Sequence, residues 1–372
     1  MRIPAADAAS SPFDFDRSPF TVAWEVTRAC ALRCVHCRAV AQPRRHPAEL
    51  TTEEGLRLVE QVADAGARVL VITGGDPFMR PDIEEFVRHG RELGLRVALS
   101  PSATGRVTRE RMTRLAEAGV EAVHVSVDGS TAPVHDAFRG VRGSFARTER
   151  VLALVRSLGL SLQVGTTVCR RNVHDLAGIA DLVRAAGAQV WSVFFLVPTG
   201  RAQVDDLLSA EEHEAVLTWL AEFAQSAPFY VRTTAAPQFR RVVLERAGAG
   251  ATFGGAAIRT GSAYVRRPSD PTAAIGVNDG KGFCFVDHLG NVCPSGFLQL
   301  AAGNVRQQPL AAIYRTSPLF RALRDPDRLG GKCGRCQYRA VCGGSRARAF
   351  ALTGDYLAAD PTCAYDPEAG SR

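Results

Sequence analysis

Six short runs of β-branched and apolar residues, each followed by an amphipathic helical stretch, constrain the fold more than any other feature. The runs lie at 21–26, 69–72, 96–100, 122–127, 162–168 and 190–197. Helical spacing of apolar residues follows at Leu56, Leu58, Val59 and Val62, then near 82–93, from Thr108, and at 144–158 and 173–186. Thr51-Thr52-Glu53-Glu54 and Ser209-Ala210-Glu211-Glu212 have the form of capping boxes, the second opening a helix to about Ser226. Strands that are apolar throughout are buried on both faces, so they imply a parallel sheet covered by helices and joined by right-handed crossovers. Six units fall short of the eight that close a barrel. The expected fold is α/β, with a partial (β/α)6 barrel whose chemistry lies at the carboxyl ends of its strands.

The first run leads directly into Cys30-Ala31-Leu32-Arg33-Cys34-Val35-His36-Cys37. Three thiolates on one loop can hold three irons of a cubane cluster and leave a fourth iron open to a small molecule. A zinc knuckle is the competing reading, with His36 available as a fourth ligand. The chain has ten cysteines, and its first 20 residues, interrupted by Asp7, Asp14 and Asp16, do not read as a secretory signal. A cytoplasmic location is therefore expected, where thiols stay reduced and serve metals rather than disulfides. No apolar run reaches about 18 residues, so no membrane span is expected. A net charge of +7 suits anionic partners such as carboxylate-rich substrates or acidic electron carriers, although arginines spread over helix surfaces are also accounted for by solvation. Nucleic acid is not an expected partner, because no RNA-binding motif and no interleaving of aromatic and basic residues is present.

The cysteine spacing just after a first strand resembles the radical S-adenosylmethionine (SAM) enzymes. The resemblance implies a 4Fe–4S cluster on Cys30, Cys34 and Cys37 whose open iron chelates the amino and carboxylate groups of SAM. One electron then cleaves SAM to a 5'-deoxyadenosyl radical, which abstracts hydrogen from substrate. At the second strand's end, Thr73-Gly74-Gly75-Asp76-Pro77 lets backbone approach a ligand and offers a carboxylate to an ammonium group. It is similar to the family's Gly-Gly-Glu motif, with Asp76 keeping the charge at a shorter reach. Val125-Ser126-Val127-Asp128-Gly129 and His135-Asp136-Ala137-Phe138-Arg139-Gly140 match further family segments. By that likeness Ser126 and Arg139 would contact SAM, the arginine pairing with its carboxylate, and Leu196 would pack on adenine. Asp128 reads as a turn or helix-start residue and Cys169 as a small buried one. Phe194 and Phe195 read as core, with Thr199 and Arg201 within reach of substrate.

A second cysteine group closes the chain. Residues 282–286 and 291–296 flank His288-Leu289-Gly290 as a short hairpin, and Cys333, Cys336, Cys342 and Cys363 follow. Four thiolates are a complete cubane ligand set, suited to electron transfer or support, with a four-thiolate zinc site as the alternative. The pattern resembles the auxiliary cluster of SPASM or twitch domains. Ser295 stands where that family carries a cysteine, and Arg346 where it usually supplies another ligand. One auxiliary 4Fe–4S cluster is expected, in a small cysteine-rich C-terminal iron-sulfur domain.

The expected organisation is an N-terminal extension at 1–19, the barrel at 20–227, a bridging region at 228–281 and the auxiliary domain at 282–372. Within the bridge, 248–276 reads as a loop able to lie across the barrel mouth. The tail from Cys342 through Asp360-Pro361 to Cys363 resembles the radical SAM enzymes of alternative haem synthesis, which decarboxylate propionates of iron-coproporphyrin. That likeness implies a carboxylated tetrapyrrole substrate and a flavodoxin- or ferredoxin-type electron donor. Maturation of a ribosomally made peptide is the alternative, and a non-catalytic zinc-binding protein the remote one.

Overall fold

The computed structural model describes residues 13–247 and 277–368, and a ten-stranded sheet organises them. β1 (Thr21–Glu25), β2 (Val69–Thr73), β3 (Arg96–Leu99), β4 (Ala122–Ser126), β5 (Ser161–Val168) and β6 (Val190–Phe195) lie side by side, in sequence order and parallel. The strand–helix alternation is thus realised as a barrel wall. A seventh parallel strand, β7 (Tyr230–Thr234), pairs with β6. On the other side of β1 the chain returns as β8 (Phe283–Val286), also parallel, and β9 (Asn291–Cys293) and β10 (Gly303–Asn304) continue antiparallel. The hairpin expected around His288 is therefore built onto the barrel sheet. Residues 228–281 contribute β7 and the helix Gln238–Ala247, while the loop read at 248–276 lies outside the described residues.

Side-chain alternation divides the wall into two faces. Val22, Trp24, Leu70, Ile72, Val97, Leu99, Val123 and Val125 belong to the main core, which also takes in the apolar stripes of the helices. The opposite positions, among them Ala23, Val71, His124, Ser126, Thr167 and Phe194, line a central cavity. Both capping boxes form. Thr51 Oγ1 accepts from Glu54 N at 3.2 Å while Glu54 Oε2 accepts from Thr51 N at 2.9 Å, and Ser209 and Glu212 repeat the pattern. Within the barrel one α-helix escaped the periodicity, Ala132–Arg139, which has a proline in its first turn and ends at Gly140 in the left-handed region.

The C-terminal segment is tied to the barrel through a buried ion pair. Arg348, in the helix Arg346–Thr353, reaches Asp360 at 2.8 Å, and both side chains are at most 1% exposed. Asp360 also accepts from Gln238 at 2.7 Å and from Ser345 N at 2.9 Å, and Arg348 donates to the carbonyl of Leu196 at 3.4 Å, just past β6. The arginine outweighs the desolvation that would otherwise raise the Asp360 carboxyl, and holds it below the usual carboxylate range. Arg348→Leu should cost about 3–5 kcal/mol, because it leaves a buried charge uncompensated. Anaerobic urea unfolding measures this, and an unchanged midpoint would remove the pair from its anchoring role.

Candidate active site

The loop after β1 carries the three cysteines over the carboxyl end of the barrel. It has no regular structure of its own and is held by backbone hydrogen bonds from its neighbours. Cys30 N donates to Gln42 O at 2.8 Å, Arg33 N to Arg139 O at 3.1 Å, Val35 N to Phe138 O at 3.0 Å, and Arg201 N to Cys37 O at 3.0 Å. Two close approaches require glycine. A Cβ at Gly140 would sit 2.5 Å from the Arg33 carbonyl, and one at Gly200 would collide with the carbonyl of Cys37, both at positive φ. Below the loop, Glu25 is fully buried between Arg28 and Arg38, each at 2.9 Å, with His288 Nδ1 at 3.1 Å. Burial alone would raise this carboxyl, but Arg38, His288 and Arg28 together lower it to about 2. The network joins β1, the cysteine loop and the C-terminal hairpin.

Cys30, Cys34, Cys37, Gly74, Gly75, Ser126 and Arg139 all open onto one cavity of about 480 Å³. Its volume falls in the range of small-molecule and cofactor sites. Asp76 does not line it. Its buried carboxylate turns instead to Phe78 N at 3.2 Å and Thr104 Oγ1 at 2.6 Å, capping the turn Pro77–Met79, so the backbone of Gly74-Gly75 faces the cavity. Arg139 approaches Cys34 Sγ at 3.6 Å and is ion-paired with Asp128 at 2.7 Å. Burial would raise the Asp128 carboxyl, but the arginine prevails and holds it low. Asp128 Oδ1 also accepts from Thr167 N at 2.7 Å, so its role is to fix Arg139 and β5 rather than to start a helix. Leu196 packs with Phe138, Cys169 and Ala202 in a small cluster beside the cavity, and Cys169 is buried there as a small apolar residue.

The four later cysteines also converge. Cys333, Cys336, Cys342 and Cys363 line one pocket of about 20 Å³. Cys333 Sγ accepts from Asp360 N at 3.5 Å, and Cys342 Sγ from Gly344 N at 3.5 Å. Arg346 donates to the carbonyls of Tyr356 and Ala358 at 3.0 and 2.7 Å and approaches Cys333 Sγ at 3.8 Å, so it braces this pocket. Cys284 and Cys293 cannot join one metal. Cys293 pairs in register with Phe285, which puts Cys284 on the opposite face of the hairpin, in the main core.

Among the described residues no three His, Cys, Asp or Glu side chains converge on a single-ion site. Tetrahedral zinc would bring its thiolates to about 3.8 Å of one another around one point. In a cubane each thiolate takes its own iron, and each set of cysteines opens onto one cavity, so both sets offer donors of the kind that a 4Fe–4S cluster needs. In the first site, His36 Nδ1 and Arg201 Nη2 are buried without hydrogen-bond partners, and both residues line the cavity. The buried guanidinium suits an anionic group there.

A family model described as the Radical SAM superfamily matches residues 24–183. An AdoMet-dependent heme synthase of Nitratidesulfovibrio vulgaris is 40% identical, over 93% of this chain and 92% of its own length. This chain belongs to the radical SAM superfamily. Another AdoMet-dependent heme synthase, from Methanosarcina barkeri, is 39% identical over 94% of this chain and 97% of that protein. The fold is also that of Streptococcus suis SuiB bound to its precursor peptide SuiA, with a TM-score of 0.68 at 15% identity, over 94% of this chain and 76% of that one.

Among the cavity-lining groups of this radical SAM chain that were not singled out in its sequence are His124, Arg232 and Arg240. His124 had a readable signal, since Val123 and Val125 alternate with His124 and Ser126 along β4. Arg232 lies on the unrecognised β7, with Nε 3.0 Å from Ser192 Oγ. Arg240 donates to the carbonyl of Val341 at 2.9 Å, and burial lowers it to about 10. Gly200→Ala should push the Cys37 carbonyl away and lower iron incorporation at the first site by about half the total, the auxiliary set being untouched. Iron counting after anaerobic reconstitution checks this, and full iron content would show that the loop tolerates the displacement.

Proposed function

We propose that this protein uses SAM to remove carboxyl groups from the propionate side chains of an iron tetrapyrrole. The observation that carries the reading is the single cavity that brings the three cysteines, the Gly74-Gly75 backbone, Ser126 and Arg139 together with Arg232, Arg240 and phenylalanine walls. The similarity across nearly full length to proteins named AdoMet-dependent heme synthase supports the same substrate class. In this reading Cys30, Cys34 and Cys37 hold a 4Fe–4S cluster, while Gly74, Gly75, Ser126 and Arg139 bind SAM. Asp76 acts on SAM only through the turn that it caps, and Leu196 supports the site from beside it.

Cluster and SAM, when bound, supply one-electron cleavage of SAM and a 5'-deoxyadenosyl radical. The chain's own residues bind and orient. Arg232 and Arg240 offer guanidinium groups to carboxylates, and Phe194, Phe285 and Phe297 provide apolar walls. Removal of a hydrogen atom, carbon dioxide and one electron converts a propionate to a vinyl group. Cys333, Cys336, Cys342 and Cys363 would hold a 4Fe–4S group able to take up that electron. A flavodoxin- or ferredoxin-type protein is the proposed donor of the first electron, and the cytoplasm the proposed compartment. No helix among the described residues is long and apolar enough to cross a membrane. We assign the barrel function to 20–227 and the auxiliary function to 282–372, with 228–281 bridging them after a short N-terminal extension at 1–19.

The test is anaerobic incubation of the reconstituted protein with dithionite, SAM and iron-coproporphyrin III. The expected result is vinyl product and carbon dioxide, with about one deoxyadenosine per carboxyl lost. Deoxyadenosine formed while the porphyrin stays unchanged would contradict the substrate and favour a peptide.

A further inference from the structure

We propose that Arg346 tunes the auxiliary 4Fe–4S group as an electron acceptor, by placing its guanidinium against the Cys333 thiolate and balancing the charge that reduction adds. The inference rests on the cluster assigned above to Cys333, Cys336, Cys342 and Cys363.

Arg346 is a buried cation without an ordinary counterion. It is 1% exposed, and its four hydrogen bonds among the described residues go to three carbonyls and one sulfur, none to a carboxylate. Carbonyls solvate a guanidinium but do not neutralise it. The buried acids on this side are engaged elsewhere: Asp360 pairs with Arg348 at 2.8 Å, and Asp279 accepts from Ala347 N at 3.0 Å. Arg346 also opens the helix Arg346–Thr353, whose first turn holds no acidic residue, so the helix dipole adds to the cost of a cation there. A buried charge persists only where something compensates it.

The sulfur supplies the missing anion. Arg346 Nη2 lies 3.8 Å from Cys333 Sγ, which also accepts from Asp360 N at 3.5 Å. A Cβ at Gly344 would stand 2.6 Å from Nη2 and 3.1 Å from Sγ, at positive φ, so a glycine leaves the guanidinium room beside the thiolate. Three basic side chains that line the pocket have other partners. Arg241 pairs with Glu214 and Glu245, Arg339 with Asp327, and Lys332 donates to the carbonyl of Cys363.

Hydrogen bonds to the sulfurs and nearby charge are among the levers that set a cluster's potential. Reduction adds one negative charge, so a fixed cation at Cys333 stabilises the reduced form and raises the potential. Burial strengthens the effect, because little water screens the pair. The electron left by the substrate is thereby drawn to this set.

The test uses Cys30→Ala protein, in which the auxiliary set alone binds iron, and adds Arg346→Gln or Arg346→Lys. Anaerobic EPR titration should find the midpoint potential of Arg346→Gln lower than that of the parent. The expected fall is at least about tenfold in the reduction equilibrium, or about 59 mV for one electron, with Arg346→Lys restoring most of it. Pulsed EPR of the reduced parent, its arginine labelled with 15N in the guanidino group, should show a nitrogen coupling that Arg346→Lys lacks. Equal potentials with iron retained would overturn the inference, as would a parent without that coupling. Loss of iron from Arg346→Gln leaves the coupling to decide: its presence supports the contact, and its absence makes Arg346 a structural brace alone. A parent that takes up no iron would overturn the auxiliary-cluster reading and this inference with it.

Discussion

The cysteine loop cannot hold its own shape. It is an irregular segment whose three thiols are placed by backbone contacts with the ends of the neighbouring strand–helix units. Gly75 N donates to Thr27 O and Asp76 N to Ala29 O, each at 2.7 Å, so the Gly-Gly turn after β2 is stitched to the loop it faces. Contacts from Phe138, Arg139 and Arg201 close the other side. The turn after β2, the end of the helix Ala132–Arg139 and the loop after β6 thus hold residues 27–37 over the carboxyl ends of the parallel strands. Preorganisation of this kind lets the protein position a reactive cofactor without rearranging.

The same sheet carries the second cysteine set to its place. Because β8 pairs with β1, the hairpin that leads toward the auxiliary pocket starts beside the strand that leads into the first loop. Glu25 links the two through Arg38 and His288, and Arg348–Asp360 ties the tail to Gln238 and to the end of β6. Both bridges are buried carboxylates neutralised by arginine, a costly arrangement that is worth little to stability on balance but demands one geometry. An electron leaving the cavity toward the auxiliary pocket would need a fixed separation, and these pairs fix it.

How much was legible follows from what each segment buries. β1 to β6 and both capping boxes could be read because their apolar residues face the helices continuously. β7 could not: Tyr230-Val231-Arg232-Thr233-Thr234 buries Val231 well but points polar residues at the lumen, so its apolar run is broken. The helix Ala132–Arg139 is short and has a proline in its first turn, and it brings Arg139 to Cys34, which only the tertiary structure reveals. The cysteine sets were legible because metal ligation requires residue types at set spacings. The direction of Asp76 was not, since a carboxylate beside a turn can cap it or leave it with the same sequence. His124 was hidden by its setting within an apolar strand, although the alternation along β4 marked its face.

The central claim is that two separate cysteine sets hold two clusters, and that one of them serves SAM. The most direct measurement is iron and sulfide counting with deoxyadenosine formation after anaerobic reconstitution of wild type, Cys30→Ala and Cys333→Ala. The account predicts about eight irons per chain in wild type and about four in each variant, with SAM cleavage abolished by Cys30→Ala and retained, at least in part, by Cys333→Ala. About four irons in wild type, or zinc with no SAM cleavage, would contradict it.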